Sequence, residues 1–490
     1  MCTTILVGKN ASYDGSTMAA RIEDSGSGMF KAKKFIVVSP KDQPINYKSV
    51  RTDCEIKLPT NPYQYTCLPN VKKWRGVWGA AGINEKNVAL TATETTTTND
   101  RVLGADPLIE YKEGVIKKGG IGEEDFVAIV LPYIDSARDG VKRLGSLIEE
   151  FGTYESNAIA IQDVNEIWWF ESIGGHHWLA KRVPDDCYVV NPNQFGVDEF
   201  DFDDAYGKQK DCMCALDLKD FVEKNHLNRS IGEKFNPRDA FGSDTYEDHI
   251  YNTPRAWVMH RFFNGNTYEF DGEDAYYKPD SNDLPWALKP EKLISIDDVK
   301  KIMSNHYEGT PYDPYMTHGD LSRKGIYRTI GINRDDVLAI TQIRPYMPKK
   351  IQAIEWLAFG CNVFNAIVPF YSNVDDTPSY LRDTTLTPTT ENFYWVNRVI
   401  ATMCDSNYAQ TQASTESYQL EVLSKGNQIV NKYDKEFLEG KFSDKEVKEL
   451  LYKANEEMTK YLKERTETYL DEVLFTSSSL MKNAFSRSDA

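Results

Sequence analysis

A cysteine stands second in this chain, directly behind Met1, and opens the segment Cys-Thr-Thr-Ile-Leu-Val-Gly (2–8). Loss of Met1 would leave a thiol and a free α-amine on one residue. A chain α-amine titrates at about 7.7–8.0 and a cysteine thiol at about 8.5, so near neutral pH the amine can take the thiol proton. Such a residue carries its own nucleophile and its own base, and needs no catalytic histidine. Taken alone, Cys2 also reads as a small residue tolerated behind the initiator.

The next twenty residues constrain it further. Thr3 to Val7 predicts a short β-branched strand, Asn10 to Ser16 a turn with an Asp14-Gly15 signal, and Thr17 to Ile22 a return strand. This hairpin runs into Arg21-Ile22-Glu23-Asp24 and is expected to bring Arg21 and Asp24 back beside Cys2. A guanidinium next to a thiol favours thiolate, and a carboxylate next to an α-amine can orient it and hold a substrate ammonium. The bland reading of Arg21 and Asp24 is a strand-end ion pair.

Residues 2–25 resemble, nearly residue for residue, the start of the dipeptidase A family of N-terminal nucleophile hydrolases. Those are bacterial cysteine dipeptidases related to penicillin V acylase, bile salt hydrolase and the secernins. Further matching stretches follow in order: Gly-Ile-Asn-Glu-Lys-Asn-Val-Ala-Leu-Thr-Ala-Thr-Glu (82–94), Ile-Trp-Trp-Phe-Glu (167–171), His-His-Trp-Leu-Ala-Lys-Arg-Val-Pro-Asp (176–185), Asn-Pro-Asn-Gln-Phe (191–195), Thr-Pro-Arg-Ala-Trp (253–257) and His-Tyr-Glu-Gly-Thr-Pro (306–311). Beyond about residue 400 little of this signature remains.

The resemblance implies that Cys2 is the nucleophile, Arg21 the arginine beside it, and Asp24 the aspartate at its α-amine. It implies that the backbone N–H of Glu94 and the side chain of Asn193 form the oxyanion hole, with Asn191 the alternative to Asn193, and that Arg255 is a second active-site arginine. Removing one donor aimed at an oxyanion typically costs about two to three decades in rate. The related acylases carry uncharged residues where this chain has Glu94. A carboxylate there could pair with the α-ammonium of a dipeptide and disfavour bile salts and penicillin V. The plainer reading of Glu94 is an exposed strand-end glutamate.

The fold implied is α+β, a four-layer αββα sandwich of two antiparallel sheets with additional C-terminal helices. The residue pattern agrees with it. Strands are expected at Gly76–Gly82, Val88–Glu94, 157–162, 167–171, 178–183 and 188–191, and helices at 123–131 and 139–151. Residues 1–400 read as one catalytic unit, within which the polar, acidic stretch 198–248 suits a lid or insertion. Residues 401–475 read as a helical extension, broken near Gly440–Ser443, with Ser443-Asp444-Lys445-Glu446 as a capping box. Its apolar stripes suit docking on the chain's own core, with homo-oligomer contacts as the second choice. Residues 476–490 read as a frayed tail.

The net charge of −17 disfavours nucleic acid and anionic membranes as partners. Eight cysteines spread over 490 residues lack the density of a disulfide scaffold. Cys212-Met213-Cys214 and His176-His177 lack metal-site spacing, so neither a metal nor another cofactor is expected, and the two histidines suit a turn between strands. With Met1 directly before the nucleophile and no apolar leader, cytoplasmic residence is expected. The function expected is hydrolysis of dipeptides with a free N-terminus, through a thioester on Cys2. The alternatives are an N-acyl amide hydrolase of the acylase type and a non-catalytic, secernin-like regulatory protein.

Overall fold

The computed structural model describes residues 2–26, 29–72, 78–91, 94–110, 119–232 and 234–483. Its centre is the predicted hairpin, strands Cys2–Val7 and Thr17–Asp24, in antiparallel register with Cys2 opposite Glu23, Thr4 opposite Arg21 and Leu6 opposite Ala19. At the turn, Gly15 takes the left-handed conformation at φ 80° and the Ser16 amide donates to Asp14 Oδ1 at 3.0 Å. Both strands are buried throughout because the hairpin is central to a seven-stranded sheet. The strand order is Ala287–Leu288, Tyr188–Asn191, Cys2–Val7, Thr17–Asp24, Asp335–Ile343, Ala353–Phe359, Val368–Tyr371, antiparallel at every pairing.

The second sheet runs Cys212–Cys214, His177–Arg182, Ile167–Ile173, Asn157–Gln162, Ala89–Thr91, Ala81–Ile83, again antiparallel, with Glu94–Thr95 also paired to Asn157–Gln162. Cys212–Cys214 lies inside the stretch read from composition as a lid or insertion. Residues 76–77 and 92–93, parts of two expected strands, lie outside the described residues. The turn between Ala81–Ile83 and Ala89–Thr91 is built by Asn84, whose Oδ1 accepts from the amides of Lys86 and Val88, and by Asn87 at φ 60°.

Side-chain alternation gives the first sheet two different faces. Leu6 and Ala19 pack into a core shared with Ala158, Ala160 and Trp169 of the second sheet, while Ile5, Ala20 and Ile22 pack into a core shared with the C-terminal helices. Gln162 ties the sheets together, donating to Thr17 O at 2.7 Å and accepting from Thr341 Oγ1 at 2.7 Å. Helix Ala137–Phe151, capped by Ser136 and stopped at Gly152, lays Val141, Leu144 and Ile148 on the second sheet. The expected helix over 123–131 shortens to Phe126–Val130, since the carboxylates of Glu123, Glu124 and Asp125 turn to buried partners.

Helices Phe393–Ser406, Tyr408–Glu439 and Asp444–Ser479 pack on the far side of the first sheet, and the Ser443–Glu446 capping box opens the last of them. Asn455 clamps the last strand from this layer, accepting from the Tyr371 amide at 2.9 Å and donating to its carbonyl at 3.0 Å.

Candidate active site

Cys2 begins the inner strand of the first sheet and is fully buried. Register and alternation place Cys2, Thr4, Arg21 and Glu23 on the face toward the second sheet. Arg21 Nη2 lies 2.8 Å from Cys2 Sγ, and the same nitrogen donates to Glu123 Oε1 at 2.6 Å. Arg21 Nη1 donates to Ala80 O at 3.1 Å and reaches Glu23 Oε2 at 3.4 Å. Glu23 also pairs with buried Lys33 at 2.6 Å. Burial works against the Glu23 charge, yet Lys33 and then Arg21 hold its carboxyl below the ordinary glutamate range. Burial pulls the Lys33 ammonium down, and Trp78 O supports it at 2.8 Å. The thiol thus faces a guanidinium fixed between two carboxylates.

The Cys2 nitrogen donates to Asn193 Oδ1 at 3.2 Å. Asn193 sits in a turn that follows strand Tyr188–Asn191 and is braced from several sides. Asn191 Nδ2 donates to Pro192 O and Gln194 O at 3.0 and 2.9 Å, and the Gly196 amide donates to buried Glu171 at 2.6 Å. Asn191 therefore closes the turn, while Asn193 faces Cys2. Asn193 Nδ2 donates to Thr95 O at 3.0 Å, which joins the short strand carrying Glu94 to the site. The side chain of Glu94 lies outside the described set, as does Met1.

Arg255 enters from the first turn of helix Thr253–Asn264, behind Pro254. A cation is electrostatically disfavoured at a helix N-terminus, so its place there reflects other partners. Its side chain leans back over the preceding residues, with Nε on Tyr251 O at 2.9 Å and Nη2 on Asn252 Oδ1 at 2.6 Å. The same guanidinium donates to Cys2 O, to Thr3 Oγ1 at 2.7 Å and to Asn193 Oδ1 at 2.9 Å. Arg255 thus holds the first peptide unit against the turn that carries Asn193.

Asp24 lies one residue past the Cys2–Glu23 register pair, on the side toward which the Cys2 nitrogen extends, with its side chain on the opposite face from the thiol. One of its carboxylate oxygens pairs with Arg328, and the other, Oδ1, is buried without a hydrogen-bond partner. Arg328 also donates to Thr329 O at 2.8 Å and to Thr3 Oγ1 at 3.3 Å. Burial lowers its guanidinium to about 10, which leaves it charged at neutral pH. Neither Arg328 nor Glu123 is marked as a site residue by the sequence. Glu123 stood in an acidic run that resembled a helix start, and Arg328 carried no local signal.

Outside this cluster, His176 and His177 both contact Asp106, at 3.0 and 2.7 Å, and so tie the turn before strand His177–Arg182 to another loop. Among the described residues no group of three or more histidine, cysteine or acidic side chains is arranged to hold a metal, and no helix is long and apolar enough to cross a membrane.

A thiol held by a guanidinium, with its own nitrogen bound by an asparagine, is an arrangement suited to acyl transfer. Comparison with known proteins identifies the class as a peptide-bond hydrolase. The chain belongs to peptidase family C69, whose model matches residues 1–421. It is 51% identical to a protein named dipeptidase from Bifidobacterium longum, over 100% of this chain and 99% of the relative. It is 43% identical to dipeptidase A of Lactobacillus helveticus, over 98% of this chain and 97% of the relative.

Proposed function

We propose that this chain is a cysteine dipeptidase whose nucleophile is Cys2 after loss of Met1. The observation that carries the reading is the Arg21 contact to Cys2 Sγ on a strand end whose nitrogen is held by Asn193. The relatives named dipeptidase support dipeptides as the substrate class. The two packed antiparallel sheets with helices on both supports a four-layer αββα arrangement. Residues 1–400 form the catalytic unit in this reading, and 401–475 a helical layer docked on it. Cytoplasmic residence is part of this reading.

In the proposed mechanism the Cys2 α-amine takes the thiol proton and Sγ attacks the dipeptide carbonyl carbon. Negative charge gathers on the carbonyl oxygen and is met by the Glu94 N–H and by Asn193. An amide nitrogen carries two hydrogens, and Thr95 O takes one of those on Asn193 Nδ2. The α-ammonium then returns its proton to the leaving amine, the C–N bond breaks, and a thioester remains. Water attacks the thioester with the α-amine as base, releasing the second amino acid and regenerating the thiol. The Glu94 carboxylate pairs with the substrate α-ammonium and so selects free N-termini.

The test is intact mass before and after iodoacetamide, in parallel with Ala-Ala hydrolysis by the native protein and by Cys2→Ala. Loss of Met1, one fast label on Cys2 and abolished turnover in the variant support the reading. Undiminished turnover in Cys2→Ala, or full activity with Met1 retained, overturns it.

A further inference from the structure

We propose that Arg328 is a positioning residue that keeps the α-amine of processed Cys2 neutral while Asp24 orients it. The inference rests on the N-terminal nucleophile reading above. An amine that must accept the thiol proton faces a conflict when its anchor is a carboxylate. An opposite charge within about 4–6 Å favours the charged form of a group, commonly by about 1–3 pH units. An unshielded Asp24 would therefore hold the amine as ammonium at neutral pH, fixed in place but useless as a base.

The structure resolves that conflict with one ion pair. Arg328 Nη2 takes one oxygen of Asp24, leaving Oδ1 buried and without a partner at the strand end where the α-amine would form. Oδ1 can accept a hydrogen bond, while the pair carries no net charge. The guanidinium is itself anchored, with Nη1 on Thr329 O and Thr3 Oγ1, and Thr3 Oγ1 also receives Arg255. Two guanidiniums thus meet on the residue next to Cys2.

The other charges around the strand end leave Asp24 as the anion to be compensated. On its own face stand Arg255, Arg328 and Arg334, whose guanidinium carbons lie 5.2, 5.5 and 5.8 Å from the Tyr251 ring centre. Asp335, its register partner, is a second carboxyl there; burial drives it up to about 7, and Arg328 is the foremost charge acting against that rise. On the thiol face stand Arg21, Lys33, Glu23 and Glu123.

The experiment is the pH profile of kcat/KM for Ala-Ala hydrolysis by full-length, Met1-free enzyme, with Arg328→Gln, Arg328→Lys, Asp24→Asn and the double variant Arg328→Gln/Asp24→Asn. Rate falls on the acid side as the base is protonated, so the acid limb reports the amine. Arg328→Gln moves that limb up by about one pH unit or more, and Arg328→Lys leaves it in place. Asp24→Asn, which leaves the cation uncompensated, moves it down by a similar amount. The double variant brings it back near the wild-type position with kcat still reduced. A limb that stays fixed in Asp24→Asn, or in folded Arg328→Gln of reduced kcat, overturns the proposal and leaves Arg328 a structural residue. Activity in Cys2→Ala would instead overturn the nucleophile reading on which it rests.

Discussion

Arg21 meets Cys2 with Nη2 2.8 Å from Sγ, inside a buried interface between two sheets. A cation this close favours thiolate over thiol. Arg21→Gln removes the cation and leaves Glu23 and Glu123 beside the sulfur. The midpoint of iodoacetamide labelling at Cys2 is expected to rise by about 1–3 pH units, and turnover at pH 7 to fall by about one to three decades. Labelling that keeps its wild-type pH dependence in Arg21→Gln would refute the assignment.

Glu123 yields the opposite sign. Its carboxylate takes the same guanidinium nitrogen that reaches the thiol, at 2.6 Å. It therefore shares the cation with Cys2 and adds a negative charge that works against thiolate. Glu123→Gln is expected to shift the labelling midpoint to lower pH. It is also expected to reduce kcat, because the guanidinium loses the partner that fixes its orientation. The measurement is the same alkylation profile, and a shift toward higher pH would count against the argument.

The carboxyls behind Glu123 predict a pH dependence of stability. Burial and then Glu123 push Glu155 from 4.5 up to about 7, and burial and then Asp125 push Glu124 to about 7. The folded state binds these protons more tightly than the unfolded chain does. Their stabilising share is therefore complete below about pH 4.5, declines between 4.5 and 7, and is absent above 7. Glu155→Gln keeps an acceptor for the Glu123 amide, which reaches Glu155 Oε1 at 3.1 Å, and removes the charge. Urea unfolding should show the variant more stable than wild type by about 1–3 kcal/mol at pH 8 and no more stable at pH 4.5.

Local signals made the hairpin legible: β-branched residues on both arms, Asp14-Gly15 at the turn, and a short return to Arg21. Parity was the part that a hairpin argument alone left unmarked. Residues 21 and 24 differ by an odd number, so they stand on opposite faces of one strand. Arg21 therefore reaches the thiol, while Asp24 faces Arg328 from the other side. The partners that complete the site are not local at all. Glu123 is 102 residues from Arg21, and Arg328 is 304 residues from Asp24. Such pairings depend on which strands lie side by side, and neither spacing nor periodicity encodes that. Glu171 shows the same limit, since its grip on the Gly196 amide is visible only once the second sheet and the Asn193 turn have met.

The last prediction concerns how far the active-site sheet depends on the C-terminal helices. Arg344, just past strand Asp335–Ile343, forms a two-pronged pair with Asp434 of helix Tyr408–Glu439, one prong at 3.0 Å. Tyr371 OH of the last strand donates to the same carboxylate at 2.8 Å, and both charged side chains are almost fully enclosed. Removing one member leaves a buried cation uncompensated, which typically costs about 3–5 kcal/mol, whereas replacing both with apolar residues can be nearly neutral. Asp434→Ala should therefore lower the urea midpoint sharply, and Arg344→Met/Asp434→Leu should recover most of the loss. Because strand Asp335–Ile343 pairs directly with Thr17–Asp24, the strand that carries Arg21 and Asp24, the Asp434→Ala transition should expose Cys2 to alkylation at the same urea concentration at which the helices unfold. Labelling of Cys2 well after loss of helical signal would show instead that the helical layer unfolds separately from the site.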